Sequence, residues 1–289
     1  MRIAVLADLH ANLPALRAVL DDVLSLGCDT MWCVGDLVGR GPHPAEVVEE
    51  MRRLAVPTIQ GNWDDAVAQH REHPGVVWPN HDAEAAGQFS LAWTITHLTE
   101  DQRAWLRQLP TSDRLEVEGR SALLFHGSPT RQSDYLWSDR PSRVFARVAS
   151  DTGDDLLCFG NTHEAFHRVV GKSHLVAAGS VGCGTLDDMN ASYAVIDIAG
   201  SDVMVNFRSV PYDHFSVEAD MQAVGLSPLL LREPPSHERR LPHGGMVRIS
   251  AEQAVAKGYH LYQWEDDRPP FSRWQIGRAS CRERVCSTV

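Results

Sequence analysis

The 289-residue sequence has no apolar run approaching the ~20 residues that a membrane-spanning helix needs. It has no internal repeat, which sets aside solenoids and propellers. It lacks a basic excess. The formal net charge of −11 argues against a general nucleic-acid-binding surface, which must neutralise phosphates. A locally positive pocket stays compatible with that charge, and a metal ion could supply it. The six cysteines show no C-x-x-C spacing. Cys28, Cys33 and Cys158 sit in apolar contexts, so buried free thiols in a reducing cytoplasm are expected rather than zinc ligands. The opening MRIAVLADLH reaches an acid at position 8 and so lacks the apolar core of a signal peptide. No serine or cysteine is paired with a base in the manner of a nucleophilic enzyme.

A content of 43% hydrophobic and 22% charged residues is that of a globular chain, long enough for one large domain or two small ones. Arg2–Ala7 is an apolar run ending at Asp8, the pattern of a buried strand. Leu13, Leu16, Val19, Leu20, Val23 and Leu24 recur at helical spacing, with Asn12 placed to cap before Pro14 and Gly27 to stop the helix. Thr30–Val34 and Pro57–Gln60 read as further strands around a helix at Pro44–Leu54. Strand, helix, strand, helix, strand predicts a layered α/β fold with a parallel sheet. Residues 64–109 then read as a helical insertion at Ala83–His97 and Thr99–Leu109, the usual place for a substrate cap. Strands resume at Arg114–Val117, Ser121–Phe125 and Asp155–Phe159, with a helix at Ser142–Ser150. Short strands at 167–170, 174–178, 192–198 and 203–209 follow, then a helix at Phe215–Ala223.

The domain is therefore expected over 1–226. Residues 227–275, rich in proline and charge, are expected to form an irregular extension. The last stretch, IGRASCRERVCSTV (276–289), has no periodicity and resembles translated sequencing-adaptor read-through, so it is expected to be non-native.

Successive strand ends carry the same event. Asp8-Leu9-His10, Gly35-Asp36, Gly61-Asn62, His126-Gly127 and Gly160-Asn161-Thr162-His163 each place a metal-capable residue beside a small turn. Sites in open α/β sheets form at the carboxyl ends of strands. Any one of these motifs is commonly a plain turn or a satisfied core histidine; the ordered set is not. The donors are oxygen and imidazole nitrogen, which suits Mn²⁺, Fe²⁺, Zn²⁺ or Ni²⁺ better than a structural cysteine-type zinc site. Seven candidate ligands are too many for one ion and fit two ions about 3.5–4 Å apart, the arrangement used on phosphate esters.

With DLH (8–10), GDLVGRGP (35–42), GNWD (61–64), HG (126–127) and GNTH (160–163) in that order, the sequence resembles the calcineurin-like metallophosphoesterases over about residues 1–212. AGSVG (178–182) followed by ASYAVIDI (191–198) is similar to their bacterial phosphodiesterase branch. The resemblance implies an αββα sandwich of two mixed β-sheets flanked by helices, with a dinuclear metal centre. It implies that Asp8, His10, Asp36 and His163 bind the first ion, with Asp36 bridging, and that Asn62, His126 and Asn161 complete the second site. Two residues depart from the family pattern. Asn161 stands where a histidine is usual, and an amide oxygen is the weaker donor to late first-row metals. Trp63 stands where phosphatase branches place a histidine that protonates the leaving group, and tryptophan has no titratable proton.

The expected activity is phosphodiester hydrolysis of small nucleotide-like esters, by attack of a metal-bridging hydroxide on phosphorus. Arg40 in GRGP is the candidate cation for the phosphoryl oxygens, with a solvated loop arginine or a salt bridge as its equal alternative. Asp36, Asn62 and His126 complete the candidate catalytic set. His43 and His81 are candidate replacement acids, Ser128 and Tyr135 candidate pocket residues, and Asn12 a candidate phosphate contact. A phosphomonoesterase, a dinucleoside polyphosphate hydrolase and a protein phosphatase remain open. So does a scaffold that kept the fold and lost efficient chemistry, as in a retromer subunit of that superfamily. The expected partner is a small phosphate ester, not a membrane or nucleic acid. Nothing in the sequence decides between a monomer and a homo-oligomer.

Overall fold

The computed structural model describes residues 1–78, 80–185 and 187–233, together with two short strands beyond them. Chain order is β1 (Arg2–Leu6), α1 (Leu13–Ser25), β2 (Thr30–Cys33), α2 (Pro44–Leu54), α3 (Asn62–Ala68), α4 (His81–His97), α5 (Glu100–Gln108), β3 (Ser112–Val117) and β4 (Arg120–Phe125). Then come α6 (Ser142–Thr152), β5 (Leu156–Phe159), β6 (Ala165–Val170), β7 (Ser173–Ala178), β8 (Gly184–Thr185), β9 (Ala191–Ala199), β10 (Asp202–Val210) and α7 (His214–Ala223). A 3-10 turn at Pro228–Leu231 leads into β11 (Arg232–Glu233). The outlying strands are β12 (Tyr259–Gln263) and β13 (Trp274–Arg278).

Two mixed sheets form the centre, in the orders β10-β9-β1-β2 and β3-β4-β5-β7-β6. In the first, β1 runs parallel to β2 and antiparallel to β9. In the second, β4, β5 and β7 are parallel, with β3 and β6 antiparallel at the edges. The two-residue period of a strand explains how they stack. Ile3, Val5, Trp32, Ala194 and Ile196 of the first sheet pack against Ala122, Leu124, Leu156, Cys158 and Val176 of the second. The alternate residues Leu123, Phe125, Leu157, Phe159 and Leu175 face the other way, onto Phe145 and Ala149 of α6. Helix α1 packs on β9 and β10. The layers are thus helix, sheet, sheet, helix.

Local chemistry sets the element ends. Asn12 accepts from the Ala15 amide at 3.2 Å and caps α1. Thr99 and Gln102 form a reciprocal capping box on α5. The strand expected at 57–60 is reduced to one parallel bridge between Cys33 and Thr58. Pro57 has no N–H to extend the ladder, and the Gln60 amide turns away to the Pro110 carbonyl at 2.7 Å. Helix α3 begins at Asn62, where only a turn was expected.

The chain divides into two compact units, residues 1–76 with 80–235 and residues 77–79 with 236–289. Residues 227–233, expected to open an irregular extension, form the 3-10 turn and β11, which pairs in parallel with β8 and stays in the first unit. In the second unit β12 and β13 pair antiparallel, Leu261 opposite Ile276. Strand β13 runs into the first residues of the expected read-through tail. The remainder of that tail, and most of the expected extension, lie outside the described residues. Among the described residues no helix is long and apolar enough to cross a membrane, and Cys28, Cys33, Cys158 and Cys183 are free thiols.

Leu124 is fully buried between the sheets. Leu124→Ala is expected to lower the free energy of unfolding by roughly 2–5 kcal/mol. Val169→Ala, on a side chain 55% exposed, should change it by less than about 0.5 kcal/mol. Urea titrations of both variants check this.

Candidate metal centre

The carboxyl ends of β1, β2, β4 and β5 open at one edge of the sandwich, and backbone bonds tie their loops together. The Asp8 amide donates to Gly35 at 3.0 Å, the His10 amide to Asp36 at 3.0 Å, and the Gly160 amide to His126 at 2.9 Å. Asp8, His10, Asp36, Asn161 and His163 all adopt φ between 45° and 65°. Residues with side chains rarely occupy this left-handed region, and such strain clusters where function requires a fixed geometry.

These turns aim the side chains at one another. Asp8, His10 and Asp36 are buried, and one donor atom from each falls within 4.8 Å of the others. His163 Nε2 lies 3.2 Å from His10 Nε2 and 3.6 Å from Asp8 Oδ1. His126 Nε2 lies 3.4 Å from Asp36 Oδ2 and 3.7 Å from Asp8 Oδ1. Its other nitrogen, Nδ1, donates to the Val34 carbonyl at 2.7 Å, which fixes the ring and turns Nε2 to the carboxylates. Asn62 spends its amide nitrogen on the Pro74 carbonyl at 2.7 Å. Its Oδ1 is buried without a hydrogen-bond partner, an acceptor suited to a cation. Carboxylates, imidazoles and a bare amide oxygen form a donor set that fits divalent metals.

Around that set lies a carboxylate the sequence reading passed over. Asp64 is fully buried and accepts from the amides of Leu37, Val38 and Gly61 at 2.8, 3.1 and 2.9 Å. It joins the Asp36 loop to the start of α3. The signal for it was legible as Gly61-x-x-Asp64, a helix-entry pattern. Gly61 itself is needed for close approach, since a Cβ there would sit 2.1 Å from Asp36 Oδ1.

A family model described as the calcineurin-like phosphoesterase superfamily domain matches residues 1–201. This chain belongs to that superfamily. A metallophosphoesterase structure from Sphaerobacter thermophilus superposes with a TM-score of 0.62 at 28% identity, covering 80% of this chain and 96% of its own. An uncharacterised protein of Methanocaldococcus jannaschii is 28% identical over 228 residues, 73% of this chain and 88% of its own. Shorter matches are a symmetrical bis(5'-nucleosyl)-tetraphosphatase of Baumannia cicadellinicola and the phosphodiesterase YfcE of Escherichia coli. Both are 29% identical, over 44% and 27% of this chain, which spans 42% and 48% of their respective lengths.

In this calcineurin-like frame the two departures take physical form. Trp63 is fully buried, and its ring packs so closely on Gly39 that a Cβ there would meet it at 2.3 Å. Its ring meets that of His10 edge-on, with centroids 6.1 Å apart. Asn161 donates Nδ2 to the Asp134 carbonyl at 2.8 Å, while its backbone amide holds Asp8 at 3.1–3.2 Å. Neither expected replacement acid is drawn in by its partners. His43 Nε2 lies 3.0 Å from Asp220, and exposed His81 sits beside Glu84. Arg40 is buried, and its Nη1 donates to the Leu230 carbonyl at 3.1 Å. Asn12 caps α1 and donates to the Gly182 carbonyl and the Tyr212 hydroxyl. Ser128 bonds Asp134 at 2.8 Å, and Tyr135 stacks on Trp137.

The electrostatics of the cluster are those of a site short of positive charge. Burial pushes the Asp8 carboxyl up to about 6, against His163 and His126. Burial also acts to raise Asp36, but His126, His10 and the Trp63 amide overcome it and hold the group at about 2. Burial acts to lower His126, yet Asp36 and Asp8 hold it up at about 9. Burial and Asp36 push Asp64 up to about 7, against its backbone donors. The His126 imidazolium thus supplies charge that a divalent ion would replace. A ligating imidazole must be neutral, so if His126 holds an ion, binding would expel that proton. Metal affinity should therefore rise with pH, by up to roughly tenfold per unit, until it levels near pH 9. Calorimetric titrations at several pH values measure it, and an affinity flat between pH 6 and 9 would remove His126 from the ligand set.

Proposed function

We propose that the chain is a metal-dependent phosphodiesterase acting on small, nucleotide-like phosphate esters. The observation that carries this reading is the convergence of Asp8, His10, Asp36, His126 and His163 into one buried cluster, with Asn62 Oδ1 lacking a partner beside it. Membership of a phosphoesterase superfamily supports hydrolysis as the reaction class. The name of the phosphodiesterase relative supports a diester, and that of the tetraphosphatase relative supports a nucleotide-like substrate.

In this reading Asp8, His10, Asp36 and His163 hold one divalent ion, and Asn62, His126 and Asn161 stand toward a second. When bound, such ions neutralise phosphoryl charge and make water nucleophilic at neutral pH. The protein contributes placement. The Val34 carbonyl fixes the His126 ring, and the Trp63 amide fixes Asp36 at 2.8 Å. The Trp63 ring offers the leaving group no titratable proton. Substrates whose leaving group departs unprotonated are therefore favoured.

Turnover of bis(p-nitrophenyl) phosphate and of p-nitrophenyl phosphate with Mn²⁺, Ni²⁺, Zn²⁺ or Fe²⁺ tests the reading. Metal-stimulated hydrolysis, faster on the diester and reduced at least about 10³-fold in Asp36→Ala, is expected. No turnover with any of the four ions would leave a fold without chemistry. Asn161→His is expected to tighten the weaker ion by about tenfold or more. Overlaid metal titrations of the two proteins would take Asn161 out of the site.

A further inference from the structure

One thiol lies inside this cluster. Cys183 Sγ, His10 and His163 offer three ligand atoms within 4.8 Å of one another. The loop carrying the cysteine is bolted to the loop carrying Asp8 and His10. The Val181 amide donates to the Ala7 carbonyl at 3.0 Å, and the Gly182 amide to the Asp8 carbonyl at 2.9 Å. Ser180 Oγ donates to the Asp8 carbonyl at 3.0 Å and accepts from the Cys183 amide at 2.9 Å. Gly182 is required by this contact, because a Cβ there would lie 2.1 Å from the Leu9 carbonyl oxygen. Asn12 Nδ2 holds the Gly182 carbonyl from the other side at 2.9 Å. The thiol is therefore fixed relative to His10 as firmly as the candidate ligands are fixed to one another.

Cys183 is 6% exposed, and Arg40 Nη1 lies 3.9 Å from its sulfur. Cys183 Sγ donates to the Leu230 carbonyl at 3.9 Å, a proton that a bound ion would displace.

We infer that Cys183 is a sulfur ligand of the metal ion held by His10 and His163. The inference rests on the metal-dependent reading above and deepens it. On coordination the S–H proton leaves to solvent and sulfur donates a lone pair to the ion; no oxidant or reductant is involved. A thiolate beside two imidazoles shifts this site toward softer ions, so that Zn²⁺ and Co²⁺ are preferred to Mn²⁺.

Cobalt titration of the full chain under reducing conditions tests it by spectroscopy. The wild type is expected to gain a near-ultraviolet thiolate-to-cobalt charge-transfer band that Cys183→Ser lacks, while Cys183→Ser still binds Co²⁺ roughly tenfold or more weakly. In the unaltered protein, X-ray absorption of the zinc-loaded form should show a sulfur scatterer at about 2.3 Å beside nitrogen and oxygen at about 2.0–2.1 Å. Bound cobalt with the same spectrum in both proteins, or a zinc shell without sulfur, overturns the role of Cys183 and leaves the metal centre standing. Failure of the wild type to bind either ion overturns both.

Discussion

Two carboxylates, Asp8 and Asp36, are buried at the same edge of the sandwich, 0% and 1% exposed. Removing such groups from water is costly unless opposite charge and hydrogen-bond donors replace the solvent. Much of the local structure follows from that requirement. His126 is held up as a cation between them, the Asn161 amide straddles both Asp8 oxygens, and the Trp63 amide caps Asp36. The left-handed conformations of Asp8, His10, Asp36, Asn161 and His163 are the backbone counterpart. Each turn bends the chain sharply enough to bring a polar side chain inward from a strand end. A fold selected only for stability would place apolar residues here.

The two sheets supply the rigidity that such a cluster needs. Their parallel strands bring loop after loop to one edge, and the interleaved core of Val5, Ile196, Leu124 and Val176 prevents the sheets from sliding. Asp64 acts one layer further out. By accepting from Leu37, Val38 and Gly61 it sets the separation between the Asp36 loop and α3. Asn62 and Trp63 follow from the same helix start, so the bare Asn62 oxygen and the Trp63 ring are placed by one carboxylate.

Where the chain announces chemistry by pattern, the fold was legible. Apolar runs ending in Asp8, Asp36, His126 and His163 were readable because alternation and breakers are local properties. The helices at 13–25, 44–54, 81–97 and 100–108 follow from capping residues and helical spacing. Tertiary competition hid the rest. Pro57 reads as the start of a strand, yet without an N–H it supports a single bridge, and Gln60 finds its partner at Pro110. The turn expected at Gly61-Asn62 is a helix entry because Asp64 folds back on Gly61. Arg232 and Glu233 sit in a proline- and charge-rich stretch that signals irregularity, and only their pairing with Gly184 and Thr185 makes a strand of them. Cys183 carried no local signal, since nothing near it in sequence is a ligand. Its meaning comes from His10 and His163, far away along the chain.

The central claim is that this buried charge cluster exists to hold metal. Anomalous diffraction from crystals grown with Mn²⁺ or Zn²⁺ tests it most directly. The account predicts a strong anomalous peak within coordinating distance of Asp8, His10, Asp36 and His163, with a weaker second peak toward Asn62 and His126. A map without a peak at that position, from crystals containing saturating metal, would contradict it.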